Sequence, residues 1–141
     1  MKNFDAKRYI GVWHEIALIP KVYESDCDSA LAIYSLNDDI LNIENLCLYE
    51  GNIIDNVQGF GIVQTEYQCN SKLLIEFEVN GEKTFGTYWV YLTDYNMFSI
   101  VSNEEHNSLW ILSRNQTISG DYKVQLSEYC KLMGLDTNDL V

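Results

Sequence analysis

YIGVWHEIALIP, residues 9–20, carries Gly11, Trp13, His14 and Glu15 in one short run. His14 beside Glu15 invites reading the run as an acid–base site. A β-strand rules that pairing out, because neighbouring side chains leave on opposite faces. If Trp13 points inward, Glu15 does too and His14 points out. No second His stands four residues on, so the spacing of a helical zinc site is absent as well. The run reads as the first strand of a sheet, with an aromatic residue near its beginning.

Working outward, most of the chain repeats this pattern. Strand-like runs cover 12–19, 30–36, 41–49, 57–66, 73–79, 84–93, 97–102 and 108–114. The clearest alternation puts Leu73, Ile75, Phe77 and Val79 on one face and Leu74, Glu76 and Glu78 on the other. Turn signals separate the runs: Asn37-Asp38-Asp39, Glu50-Gly51-Asn52, Asn80-Gly81 and Asp94-Tyr95-Asn96. Gly59 and Gly61 inside a strand mark a bend or a close approach of backbones. From Ser119 to Gly134 the period changes. Tyr122, Leu126, Tyr129, Cys130 and Met133 fall at helical spacing, with Ser119 as N-cap and Gly134 as stop. Eight strands on short connections followed by one helix predict an all-β fold: a single domain over 1–141, an eight-stranded up-and-down antiparallel β-barrel with one C-terminal α-helix packed outside. Closure removes exposed sheet edges, and eight strands leave room for one small ligand. A β-sandwich with a filled core is the alternative.

Composition limits the partners. The 141 residues suffice for one domain, and the net charge of −12 repels phosphate backbones and anionic membrane surfaces. The nine Lys and Arg do not cluster, so no nucleic-acid partner is expected. No apolar run is long enough to span a bilayer. MKNFDAKRY lacks the apolar core of a signal peptide, and no N-terminal Cys offers an acylation site. The expected location is intracellular or packaged if Met1 is native, secreted if a signal has been removed. Cys27, Cys47, Cys69 and Cys130 show no C-x-x-C spacing, which argues against a zinc knuckle. They are thiols in a reducing compartment and allow three pairings in an oxidising one. Asn115-Gln116-Thr117 is a glycosylation sequon that matters only in the secreted case.

Phe4-Asp5-Ala6-Lys7-Arg8-Tyr9-Ile10-Gly11-Val12-Trp13 resembles the opening signature of the lipocalins, with its Gly-x-Trp core. Thr93-Asp94-Tyr95 is similar to their second signature. Leu109-Trp110-Ile111-Leu112-Ser113-Arg114 is similar to their third. The wording of FDAKRY, DYNMFSIV and LWILSR resembles the bacterial outer-membrane lipocalin and apolipoprotein D branch, though many of its members have Tyr at the position of His14. Barrel topology agrees, since the start of the first strand and the ends of the sixth and eighth meet at one rim. The resemblance implies that this rim is closed by Gly11, Trp13, Thr93, Asp94, Tyr95 and Arg114, with the guanidinium across the indole.

Parity carried along the strands from Trp13 and Arg114 gives an inward set. Glu15, Ala17, Ala32, Tyr34, Leu36, Leu41, Ile43 and Asn45 come from the first half of the chain. Ile75, Phe77, Tyr88, Val90, Phe98, Ile100, Trp110 and Leu112 come from the second. Together they form a mostly apolar wall with a few hydrogen-bonding groups, as a lipophilic ligand site requires. The open end is expected at loops 20–29, 50–56, 80–83 and 103–107. These are rich in Glu and Asp, with Lys21 and Lys83 the nearby cations. The resemblance implies a carrier of a small hydrophobic ligand, a long-chain fatty acid or lysophospholipid, working without cofactor, metal or catalysis as a monomer or weak homodimer. Two alternatives compete. One is an enzyme on the same barrel, with inward Cys47 near Asn45 as a reactive thiol. The other is an interaction protein acting through its long loops. Cys27 reads as an exposed thiol or a disulfide partner, Cys130 as packed under the helix.

Overall fold

In the computed structural model, the described residues are 4–18, 27–38, 40–63, 71–79, 81–106 and 108–137. Eight strands run in chain order: β1 Gly11–Leu18, β2 Ser29–Asn37, β3 Ile40–Tyr49, β4 Asn52–Val63, β5 Lys72–Val79, β6 Glu82–Thr93, β7 Phe98–Ser102 and β8 Leu109–Ser113. Each pairs antiparallel with the next, and β1 pairs with β8, so the sheet closes into an up-and-down barrel. A short helix, α1 Ala6–Tyr9, precedes it, and α2 Gly120–Leu132 follows it. The predicted barrel with one C-terminal helix is the observed fold, not the sandwich. No described helix is long and apolar enough to cross a membrane.

Register explains which side chains go in. Residues paired directly across strands share a face. Trp13 pairs with Ala32, Ala32 with Asn45 and Asn45 with Val57. Tyr34, Ile43, Gly59, Phe77 and Thr84 form a second inward row. Gly59 is where the rows come too close for a side chain: a Cβ there would stand 2.5 Å from the Glu76 carbonyl oxygen and collide with the Phe77 ring. The sequence flag at Gly59 thus marks a close approach of strands.

α2 lies against the outside. Ser119 Oγ accepts from the Tyr122 N–H (3.1 Å), and Gly134 adopts φ +80° beyond the last turn while the Leu135 N–H donates to the Cys130 carbonyl (2.9 Å). Leu126, Cys130 and Leu135 pack on Phe98, Ile100, Leu109 and Ile111. Phe98 and Ile100 therefore belong to the outer face, not to the cavity. Ile100 pairs with Ile111, both under α2, while Val101 pairs with inward Trp110 and Ser99 with inward Leu112. A bulge between Val90 and Leu92 resets the parity that β6 hands to β7. Because α2 covers its outside, all five residues of β7 are buried, and apolar character no longer marks the inner face.

β4 starts at Asn52, so most of the expected 50–56 loop is strand and only a Glu50-Gly51 turn remains, with positive φ at both. The proposed strand end at 64–66, the mouth residues Lys21, Glu24 and Asp26, and Cys69 and Asn80 lie outside the described residues.

Candidate functional site

One end of the barrel is sealed by groups from three separate segments. The Arg114 guanidinium carbon lies 3.9 Å from the centre of the Trp13 ring. Nε donates to the Tyr95 carbonyl (3.0 Å), Nη1 to that of Val12 (3.0 Å) and Nη2 to that of Arg8 (3.1 Å). Gly11, at φ +109°, is the residue over which this arm passes, and a Cβ there would sit 3.1 Å from Nη1. Trp13 is fully buried and its Nε1–H donates to the Tyr9 carbonyl (2.9 Å). Thr93 Oγ1 donates to the Phe98 carbonyl (2.6 Å) and accepts from the Tyr95 N–H (3.0 Å). Asp94 Oδ1 accepts from the N–H groups of Asn96, Met97 and Phe98. This holds Tyr95 at φ +66°, where its hydroxyl accepts from the Asp5 N–H (2.8 Å). All six residues expected at the closed rim meet there.

Above the plug the barrel encloses a cavity of about 490 Å³, within the range of small-molecule sites. Of the inward set, Glu15, Ala32, Tyr34, Ile43 and Asn45 line it from the β1–β3 side. Ile75, Phe77, Tyr88, Trp110 and Leu112 line it from the β5–β8 side. Leu36, Leu41 and Val90 also point inward but pack in the core cluster around Trp13 without lining the cavity. Ala17 pairs with Ile111 after a bulge in β1, and its side chain lies outside the described residues. His14 sits on the outer face, in the row of Ser113 and Phe98, so it and Glu15 are separated as strand geometry requires.

The floor holds the site's most ordered polar group, which sequence parity reached only in part. Tyr34 Oη lies 2.8 Å from Tyr88 Oη, Tyr88 Oη 2.9 Å from Tyr9 Oη, and Tyr9 Oη 2.7 Å from Ser99 Oγ, forming a hydrogen-bonded chain of four hydroxyls. Burial pushes the Tyr9 phenol up to about 12 and raises that of Tyr88 well above its ordinary value. Tyr9 precedes β1, and Ser99 sits on the strand whose parity the β6 bulge reset, so alternation had no handle on either.

The mouth is lined by Asp55, Asn56, Thr84, Phe85, Thr87, Asn103, Glu105 and Ser108, from the end opposite the plug. Cys27 and Cys47 form a disulfide in this lining, closing a sequence separation of 20 residues. Cys47 is thus inward, but the pair is a disulfide rather than a reactive thiol, and Cys27 is its partner rather than a lone exposed thiol. Cys130 is a free thiol under α2, pushed by burial up to about 11.

Comparison with known proteins agrees with this geometry. The lipocalin-like domain family matches residues 4–141. The outer membrane lipoprotein Blc of Citrobacter freundii is 32% identical over 144 residues, covering 100% of this chain and 79% of that protein. Mouse (Mus musculus) apolipoprotein D is 28% identical over 146 residues, covering 96% of this chain and 74% of its own. Among solved structures, insecticyanin from the tobacco hornworm Manduca sexta superposes with a TM-score of 0.80 at 21% identity, covering 100% of this chain and 80% of that one. A closed eight-stranded barrel, an Arg–Trp plug and a match over almost the whole length together establish that the chain belongs to the lipocalin family, whose fold binds small hydrophobic ligands.

Proposed function

We propose that this protein binds and carries a single-chain lipid, a lysophospholipid in preference to a long-chain fatty acid, with the acyl chain in the barrel and the head group at the mouth. The observation that carries this reading is the cavity of about 490 Å³, blind at the Arg114–Trp13 end and walled by Ala32, Ile43, Ile75, Phe77, Trp110 and Leu112. Each buried methylene of a ligand contributes about 0.8 kcal/mol. Charge selects the head group. Asp55 and Glu105 are among the mouth residues, and no Lys, Arg or His is among the described lining residues. A free carboxylate meets repulsion there, while a zwitterionic head brings its own cation. We assign the site to binding rather than catalysis, because Cys47 is tied to Cys27 and His14 is turned away from Glu15.

The test is titration of delipidated protein with palmitoyl lysophosphatidylcholine and with palmitate, read by Trp fluorescence, with Trp110→Phe identifying the reporting indole. Saturable binding is expected for both, tighter for the lysolipid at low ionic strength, with the gap narrowing as salt screens the mouth. Absence of saturable binding for either ligand overturns the reading.

A further inference from the structure

The carrier reading explains the apolar walls but not the floor. A cavity meant only for a terminal methyl needs nothing polar at its blind end, and Phe would pack there as Tyr does. Instead Tyr34 and Tyr88, hydrogen-bonded to each other through their hydroxyls, belong to the cavity lining, and both residues are more than nine-tenths buried. Behind them Tyr9 and Ser99, each 0% exposed, continue the chain of hydrogen bonds. Each hydroxyl carries one proton and two lone pairs. A linked row can therefore turn in concert and offer a newcomer either a donor or an acceptor. Glu15 stands beside this floor. It pairs across β1 and β8 with Leu112, and Leu112 pairs across β8 and β7 with Ser99, so the carboxylate enters the cavity from the row that carries the Ser99 hydroxyl. A carboxylate pushed to the floor would meet a second acidic group. An uncharged hydroxyl matches both neighbours, since it accepts from a phenol and donates to a phenol or a carboxylate.

We infer that the blind end of the cavity is a hydroxyl-recognising subsite, built by Tyr34 and Tyr88 on Tyr9 and Ser99, and that it selects acyl chains oxygenated at their far end over plain ones. The inference rests on the carrier reading and specifies what the chain's distal end carries. Its physical basis is compensation. A hydroxyl moved from water into an apolar pocket is penalised unless it finds a partner. At this floor partners are in place, and a site built to hydrogen-bond a hydroxyl discriminates against the ligand lacking it.

The experiment compares lysophosphatidylcholines with plain and ω-hydroxylated chains of equal length, in pairs of about twelve to sixteen carbons so that one pair spans the cavity. Binding is measured to the native protein and to Tyr34→Phe and Tyr34→Phe/Tyr88→Phe. In the native protein the hydroxylated chain of the best-fitting pair is expected to bind more tightly than the plain one. In the double variant it is expected to fall about tenfold behind the plain chain measured on that same variant. A native protein that binds no hydroxylated chain more tightly than its plain partner overturns the inference and leaves the carrier reading standing. An equal ratio in native and variant proteins overturns it likewise. Failure of the native protein to bind either chain overturns both. The native ratio decides even if the double variant does not fold, and the single variant repeats the comparison with one hydroxyl removed.

Discussion

Arg114 directs its guanidinium at three backbone carbonyls from different segments while lying flat on the Trp13 indole. Hydrogen bonds from a charged donor are stronger than neutral ones, and a planar fork reaches several acceptors that an ammonium cannot. The group is only partly buried, which discounts each bond. Arg114→Ala is expected to lower stability by about 2–4 kcal/mol in urea unfolding, leaving three carbonyls without their donor. Arg114→Lys should recover at most about half of that loss. Equal stability of the Lys variant and the native protein would show that charge alone, not the fork, holds the plug. The residues meeting here were legible in the sequence because three short motifs converge at one rim. Tyr9, whose carbonyl accepts from Trp13 and whose hydroxyl links Tyr88 to Ser99, was legible only as part of the first motif's wording.

Among the elements, β4 and β5 show how tightly the wall is fitted. Gly59 faces Phe77 across the ladder, and the space a methyl would need is held by that ring and by the Glu76 carbonyl. Gly59→Ala is expected to cost about 1–3 kcal/mol, since overpacking forces backbone shifts. The companion Gly61→Ala, whose Cβ meets nothing nearer than 3.7 Å, should cost less, with ordinary strand preference on its side. Thermal unfolding of the pair checks this, and a reversed order would place the constraint elsewhere in the strand. The glycine signal was readable in sequence, whereas the start of β4 was not. Asn52, Ile53 and Ile54 follow a turn and break alternation, so pattern reading delayed the strand by five residues (57 against 52). β7 failed for the opposite reason. Both its faces are buried, one by α2 and one by the barrel interior, so apolar Phe98 and Ile100 face α2 while Ser99 faces in, and polarity does not mark the inner side.

At the scale of the whole molecule, the buried phenols predict how stability responds to alkali. Burial raises the Tyr9 pKa to about 12 and raises that of Tyr88 as well, against about 10 in an unfolded chain. Because folded values exceed unfolded ones, the contribution is fully present below about pH 10 and is lost as pH rises through the folded values. The urea midpoint is therefore expected to stay level on this account from about pH 7 to 9 and to fall between about pH 10 and 12. Tyr9→Phe should flatten the alkaline fall. An unchanged profile in that variant would mean the phenol ionises in place. The same network couples α1, β2, β6 and β7, so floor and plug should lose order together.

The sequence by itself determined the barrel, its outer helix, the plug residues and most of the inward wall, because alternation, turn residues and motif positions are local properties that a closed antiparallel sheet preserves. Tertiary structure alone decided the rest. It joined Cys27 to Cys47, turned Phe98 and Ile100 outward under α2, withheld Leu36, Leu41 and Val90 from the cavity, and linked four hydroxyls from four separate segments into its floor. The reason is physical: a bulge shifts facing without changing composition, and a disulfide or hydrogen-bond chain depends on distances that only closure of the barrel fixes.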